Sequence, residues 1–187
     1  MTFEPHVADR MRRLFRAGNH AMVMMFRLGL GPWFLIWPRV TGRVLVVEHR
    51  GRTSGRRYRA PLNYAEVDGR LYVTAGFGPR TDWYRNVRHN PEVDVWLPDG
   101  WWSCRARDVS NDPDRWEILR AVLVGSGFAA YLFGVDPAMP EDRLEATCAD
   151  YRLVCLDRVA PRTGRGGPGD LAWIWPLLWI VGRRRAR

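Results

Sequence analysis

Two Asp-Gly pairs separate apolar, β-branched runs in the middle of the chain, and they constrain the fold more than any other feature. Asp68-Gly69 and Asp99-Gly100 each lie between two such runs. An Asp-Gly pair in this setting is typical of a tight β-hairpin turn. The chain is therefore predicted to build antiparallel hairpins, with strands at 57–67, 70–75, 93–97 and 101–109.

Further patterns predict the elements around these hairpins. Apolar runs indicate strands at 44–48 and 151–156. Helical spacing and start signals predict helices before residue 42, at 82–88, at 112–124, at 128–133 and after Pro140. Together these predict an α+β fold, a small antiparallel barrel or sheet with helices packed outside it.

Composition shifts divide the chain of 187 residues into four parts. We expect an N-terminal helical segment at 1–42, one barrel domain at 43–159, a Gly/Pro/Arg-rich linker at 160–170, and an apolar, Trp-rich tail at 171–187. The apolar run of the tail is too short to span a membrane as a helix. Anchoring at a membrane surface, docking on protein and disorder remain open for it.

The balance of charge predicts an anionic partner. The net charge is +9, and all 29 positions counted as Lys or Arg are arginine. The three cysteines are odd in number and form no C-x-x-C motif, so neither a disulfide framework nor a metal site is predicted. The N-terminus lacks the pattern of a signal peptide, and we expect a cytoplasmic protein, monomeric or homodimeric.

An arginine-rich loop follows the first predicted strand. Its sequence from residue 51 to residue 59 is Gly-Arg-Thr-Ser-Gly-Arg-Arg-Tyr-Arg. Glycines allow the backbone to approach a ligand closely, and arginines donate forked hydrogen bonds to phosphate or carboxylate. The loop is therefore predicted to hold a small anionic group, whereas solvent-exposed arginines on an ordinary hairpin are the alternative.

No familiar catalytic motif accompanies this loop. The sequence has no H-E-x-x-H, no P-loop and no nucleophile elbow, and its four histidines are scattered. A ligand-binding loop without an acid–base set indicates that a cofactor carries the chemistry.

The order of motifs resembles the deazaflavin-dependent nitroreductase family. The motifs are Gly-Arg-x-Ser-Gly at 51–55, Pro61-Leu62, Asp68-Gly69, a glycine loop at 75–78, Trp83-Tyr84-x-Asn86 and Asn90-Pro91. The resemblance implies a split β-barrel and the coenzyme F420. It also implies a cofactor-binding set made of Arg52, Thr53, Ser54, Gly55, Arg56, Tyr58, Arg59, Pro61, Leu62, Ala75, Gly76, Phe77, Gly78, Trp83 and Asn86.

The resemblance gives these residues separate roles and also shows two departures. The arginine loop would hold the phosphate and acidic tail, while Pro61 and Leu62 would lie along the deazaflavin ring. The family often has a cation at the positions of Thr53 and Tyr58, so phosphate contacts would shift to Arg56, Arg57 or Arg59. It also often has a serine-containing loop where this chain has Gly76, so one hydroxyl beside the ring is missing.

The chemistry implied is hydride transfer from F420H2 to a stacked acceptor. Tyr131 is a candidate proton donor, and the apolar 128–133 segment favours a flat acceptor such as a quinone, or a nitro compound, taken up at the inner face of the membrane. The alternatives are a protein that binds F420 or a lipid without turnover and an FMN-dependent reductase of the same architecture. A nucleic-acid binder is disfavoured because the arginines cluster near glycines.

Overall fold

The computed structural model describes residues 17–36 and 42–177. Six strands form one closed antiparallel barrel in the order β1-β2-β3-β6-β5-β4. This confirms the predicted α+β split barrel. The strands are β1 Val44–Arg50, β2 Arg57–Val67, β3 Arg70–Ala75, β4 Glu92–Leu97, β5 Gly100–Asp108 and β6 Arg152–Pro161.

Helices lie outside the barrel. Residues 17–27 are helical (α1) and precede a 3-10 helix at Gly31–Leu35. The later helices are α2 Asp82–His89, α3 Arg115–Gly125, α4 Phe128–Leu132 and α5 Glu141–Thr147.

Alternating side chains on the strands build the barrel core. Leu45, Val47, Leu71 and Val73 are fully buried and share one cluster with residues of β4, β5 and β6. The other strand face packs against the helices, because a strand's successive side chains point to opposite sides. Phe26 of α1 packs on the outer-face residues of β1 and β4, and α3 packs on β2, β3 and β6.

The hairpin between β2 and β3 has the predicted bounds. Asp68 and Gly69 both adopt positive φ angles, 50° and 74°. Two consecutive positive φ angles give the turn the twist that matches the flanking strands. Tyr64 pairs with Val73 in the resulting register.

Helix α3 begins later than predicted. The predicted start is residue 112, but the helix starts at Arg115 with Asp114 at the cap position. The Asp112 carboxylate accepts a hydrogen bond from Arg107 Nη1 at 3.3 Å. Thr81 does precede α2, yet its hydroxyl donates to the Gly78 carbonyl at 2.8 Å and not to an α2 amide.

The stretch expected to be a linker is packed on the molecule. Residues 160 and 161 belong to β6, and the chain beyond them returns to α1. The Gly169 amide donates to the Phe26 carbonyl at 2.8 Å, and the Arg27 guanidinium donates to the Asp170 carboxylate at 2.9–3.3 Å.

The first part of the apolar tail docks on the N-terminal segment. The Leu171 amide donates to the Arg27 carbonyl, and the Trp175 indole N–H donates to the Leu28 carbonyl, both at 2.9 Å. Docking is thus the arrangement of residues 171–177. The predicted helix before residue 17 and the basic end of the tail at 183–185 lie outside the described residues.

Candidate functional site

A cavity of about 370 Å³ lies between the β2–β3 side of the barrel and the helices around it. Its walls come from the middle of β2, the end of β3 with the following loop, the start of α2, and the α3–α4 region. Two residues of α1, Asn19 and Met22, complete the lining. No charged side chain is among the described lining residues, so the cavity suits a mainly apolar ligand.

The structure brings part of the predicted site together in this cavity. Six of the predicted cofactor residues line it: Pro61, Leu62, Ala75, Gly76, Phe77 and Trp83. They come from three separate elements, and the closure of the barrel places them around one space.

The arginine-rich loop is a tight turn next to this cavity. The Gly51 amide donates to the Arg56 carbonyl at 2.8 Å, and the Gly55 amide donates back to the Gly51 carbonyl at 2.9 Å. A Cβ atom on Gly51 would lie 2.6 Å from Ser54 Oγ and 2.7 Å from the Tyr58 ring. A side chain at position 51 would therefore require the Ser54 hydroxyl and the Tyr58 ring to move.

Arg52 fixes the loop to α2. Its amide and its Nη1 donate to Asn86 Oδ1 at 3.1 and 3.0 Å, and Nη1 also lies 3.2 Å from Asp82 Oδ1. Asp82 stands between Thr81 and Trp83, which both line the cavity. The Arg52 guanidinium is therefore held beside the helical turn that forms one wall.

The buried side chains of His49 and Asn86 support the arginine-rich loop. The ring of His49 stacks on Tyr58 at 6.0 Å between centroids, and its Nδ1 lies 3.4 Å from Asn86 Nδ2. Burial lowers the pKa of His49. The Tyr58 hydroxyl lies 3.2 Å from Ser54 Oγ. Tyr58, Ser54 and Asn86 thus shape the loop and do not line the cavity.

Arg57 and Arg59 are not among the residues that line the cavity. Both bind the buried carboxylate of Glu48, Arg57 Nη1 at 3.0 Å and Arg59 Nε at 2.8 Å. Arg59 also lies over the Trp96 ring, 4.5 Å from its centroid. Glu48 and Arg59 are directly opposite each other on β1 and β2, which brings the Arg59 guanidinium to this carboxylate.

The other predicted residues lie outside the cavity lining. The Arg56 side chain is exposed and makes no ion pair with the described residues, so it is available to an anion. Tyr131 is 55% exposed and is absent from the lining, and its role as a proton donor stays a prediction. The predicted residues outside the lining are Arg52, Thr53, Ser54, Gly55, Arg56, Tyr58, Arg59, Gly78, Asn86 and Tyr131.

Sequence reasoning missed several lining residues. Thr74, Thr81, Ser126 and Tyr151 contribute hydroxyl groups to the cavity wall. Thr74 directly precedes the predicted glycine loop, so its position in the sequence indicates that it lies near the site. Tyr151 lies between α5 and β6, and no motif near it indicates proximity to Gly76.

The buried cysteines offer no reactive group. Cys104, Cys148 and Cys155 are free, and burial raises the pKa of their thiols to about 12, about 11 and about 11. A thiol with so high a pKa is not ionised near neutral pH. Within residues 17–36 and 42–177, no group of three or more His, Cys, Asp or Glu side chains is placed to hold a metal ion.

Solved structures with distant likeness to this chain include reductases. One is an F420-H2 dependent reductase, FDR-A, at 18% identity, covering 62% of this chain and 94% of that chain with a TM-score of 0.46. Another is the conserved hypothetical protein Rv2991 from Mycobacterium tuberculosis, at 18% identity, covering 69% of this chain and 79% of that chain with a TM-score of 0.45. At these scores neither likeness bears on function.

A curated relative matches part of the chain more closely. Rv3178 of Mycobacterium tuberculosis, which is named for F420H(2)-dependent quinone reductase activity, is 34% identical over 71 residues. The match covers 36% of this chain and 60% of that protein.

The family model for F420H(2)-dependent quinone reductases matches residues 35–140. This is more than half of the chain, and it includes the arginine loop, β1 to β5, α2, α3 and α4. The chain therefore belongs to the F420H(2)-dependent quinone reductase family.

Proposed function

We propose that this protein is an F420H2-dependent oxidoreductase that reduces quinone-type or nitro-type acceptors. The observation that carries the proposal is the pairing of an uncharged cavity with an arginine loop fixed to one of its walls. Family membership supplies the coenzyme, and the geometry accounts for where the two chemically different halves of that coenzyme would be held.

The residues present fit a deazaflavin with an anionic tail. A flat ring needs apolar walls and close backbone, which Leu62, Trp83 and the Gly76 backbone provide. The nearest atoms to a Cβ on Gly76 would be those of the Tyr151 ring, at 3.5 Å, so this wall combines backbone with one aromatic side chain. A phosphate needs cations outside the apolar space, and Arg52 and Arg56 supply them at the loop.

This chain's residues would act mainly by binding and orienting. When bound, the reduced deazaflavin supplies a hydride. The apolar walls exclude water from the ring, and holding two flat molecules face to face supplies much of the catalytic effect. Arg57 and Arg59 are assigned to the stability of the barrel and not to phosphate binding, because Glu48 already binds both.

The acceptor side of the cavity favours a flat apolar molecule. The rings of Phe77 and Phe133 meet edge to face at 5.5 Å, and both side chains line the cavity. Phe77 belongs to the β3–α2 loop and Phe133 directly follows α4. A quinone ring bound there would contact apolar side chains. No carboxylate among the described lining residues would oppose the negative charge that the quinone gains as it is reduced.

Two experiments separate this proposal from its alternatives. A fluorescence titration with oxidised F420, repeated with FMN, identifies the coenzyme, and preference for FMN would favour the flavin-dependent alternative. An assay of F420H2 oxidation by menadione then tests turnover. Tight F420 binding without oxidation across several quinones would favour a protein that only binds the coenzyme.

We further propose that the protein works in the cytoplasm at the inner face of the membrane. Five large apolar side chains are 44–63% exposed on the N-terminal segment and the tail docked to it: Trp33, Ile36, Trp173, Trp175 and Leu177. Tryptophans at such a surface favour the lipid headgroup region. In the part of the chain described, no helix has the length and apolar character needed to cross a bilayer.

A further inference from the structure

Four residues with hydroxyl groups line the cavity, and three of these hydroxyls already donate to backbone carbonyls. The Thr74 hydroxyl donates to Arg152 O at 3.1 Å, Thr81 donates to Gly78 O at 2.8 Å, and Ser126 donates to Val122 O at 2.8 Å. The Tyr151 hydroxyl makes no hydrogen bond with any residue that the structure describes. It is therefore the lining hydroxyl with a free proton to offer.

Tyr151 also occupies the space beside Gly76. A Cβ built on Gly76 would lie 3.5 Å from the Tyr151 Cε2 and Cζ atoms and 3.7 Å from its hydroxyl oxygen. These are ordinary van der Waals distances, so the tyrosine fills the volume that a side chain at position 76 would face. A hydroxyl is thus present at this wall although residue 76 contributes none.

The backbone on either side holds Tyr151 in place. Its amide donates to the Cys148 carbonyl at 2.9 Å, and its carbonyl accepts from Arg115 Nη2 at 3.2 Å. Burial raises the pKa of the phenol. The hydroxyl therefore remains protonated, and able to donate, throughout the neutral and mildly alkaline range.

We propose that the Tyr151 hydroxyl donates a hydrogen bond to a carbonyl oxygen of the flat ring bound against Gly76. The inference rests on the proposed function, because it needs a carbonyl-bearing ring in the cavity. That carbonyl belongs either to the coenzyme ring or to the quinone, and the two sources give different experimental results.

The first test removes only the hydroxyl. Tyr151→Phe keeps the ring that packs against Gly76 and α5, and thermal unfolding checks that the fold is retained. Loss of one hydrogen bond to an uncharged oxygen lowers binding by about 3- to 10-fold. Tyr72→Phe is the matched control, because Tyr72 is buried on the outer side of the barrel and does not line the cavity.

Two readouts identify the source of the carbonyl. If it belongs to the coenzyme, the Kd for oxidised F420, measured by fluorescence without any turnover, rises in Tyr151→Phe. If it belongs to the acceptor, that Kd is unchanged and kcat/KM for menadione falls. Tyr72→Phe changes neither quantity.

The second test moves the hydroxyl to position 76. Gly76→Ser combined with Tyr151→Phe returns an oxygen to the same wall, and the available space accepts it. Recovery with Gly76→Ser but not with Gly76→Ala in the same background supports the proposal. Unchanged Kd and unchanged kcat/KM in Tyr151→Phe, or equal recovery with serine and alanine, would overturn it.

Failure of the proposed function and failure of the role of Tyr151 give different results. A wild-type protein that binds neither F420 nor FMN contradicts both the proposed function and the role of Tyr151. A wild-type protein that binds F420 and reduces menadione, with Tyr151→Phe doing both equally well, contradicts the role of Tyr151 alone.

Discussion

Arg52 and Asn86 join the arginine-rich loop to helix α2 through a single oxygen. The backbone amide and the guanidinium of Arg52 both donate to Asn86 Oδ1, at 3.1 and 3.0 Å. Asn86 is 6% exposed, so this junction is largely shielded from water. Arg52, the cation proposed to bind the anion, is thus held by α2, and the first turn of α2 lines the cavity.

Replacing Arg52 with alanine should weaken binding of F420. The loss of a charge-assisted hydrogen bond to the anionic tail corresponds to about 1.5–3 kcal/mol of binding free energy. A fluorescence titration of wild type and variant gives this difference directly. Arg105→Ala removes the same charge from an exposed position on β5, 70% exposed and away from the cavity, and should leave the affinity unchanged.

Asn86→Ala separates the position of the loop from the charge of Arg52. We expect a weaker F420 affinity although every arginine is retained, because the loop loses its bond to α2. Equal affinity in Arg52→Ala and wild type would show that the loop does not bind the anionic tail.

Replacing Glu48 with glutamine should destabilise the barrel without affecting the coenzyme. The variant leaves Arg57 and Arg59 without the carboxylate that now lies 3.0 and 2.8 Å from them. The expected loss is about 1–3 kcal/mol of unfolding free energy, measured by urea denaturation. If the F420 affinity of Glu48→Gln falls as far as that of Arg52→Ala, Arg57 and Arg59 take part in phosphate binding.

The Tyr84–Asp108 hydrogen bond should make stability depend on pH at both extremes. The two oxygens lie 2.5 Å apart. Burial opposes ionisation of Asp108, but hydrogen bonds from Ser110 and Tyr84 outweigh it and hold the pKa of this carboxyl below its ordinary value. Its stabilising effect is therefore present above the ordinary aspartate pKa and is lost as the pH falls through the lowered value.

The phenol of Tyr84 shows the opposite dependence on pH. Burial and the bond to Asp108 raise the pKa of Tyr84, so its contribution is present below the ordinary tyrosine pKa and is lost as the pH rises through the raised value. Tyr84→Phe should lower the unfolding free energy by about 1.5–3 kcal/mol at neutral pH. Urea denaturation across the pH range should show that this difference shrinks in acid and in alkali; a constant difference would contradict the assignment.

The strands were predictable because their signals are local. The bounds of β2 and β3 follow from one Asp-Gly turn and from alternating side chains on either side of it. The closure of the barrel is not local, since it depends on β6 pairing with both β3 and β5 and on β4 pairing with β1. The pattern alone left a barrel and an open sheet as alternatives.

The site was predictable in part for the same reason. Pro61, Leu62 and Gly76 lie in motifs, and the structure places them together in the cavity wall. Arg59 shows what a motif does not reveal: it lies on the same strand as Pro61 and Leu62, but its guanidinium binds the Glu48 carboxylate on the neighbouring strand β1. Tyr151 reaches the wall only through the packing of α5 and β6, which no local pattern in the sequence encodes.

The exposed tryptophans should bind the protein to anionic lipid. We expect wild type to sediment with vesicles containing phosphatidylglycerol, and the double variant Trp33→Ser, Trp173→Ser to bind about tenfold more weakly, since each indole buried in lipid contributes to affinity. Val159→Ser is the control, because Val159 is 66% exposed on β6 and does not belong to the N-terminal segment or the tail docked to it. Equal sedimentation of the double variant and wild type would contradict a role for these residues.

The most direct test of the account is the oxidation of F420H2 by menadione, followed by the return of deazaflavin fluorescence. The account predicts a rate proportional to protein concentration, with one F420 formed for each menadione reduced, and a lower kcat/KM for F420H2 in Arg52→Ala. A rate equal to that without protein, under conditions where the protein is folded and saturated with F420H2, would contradict it.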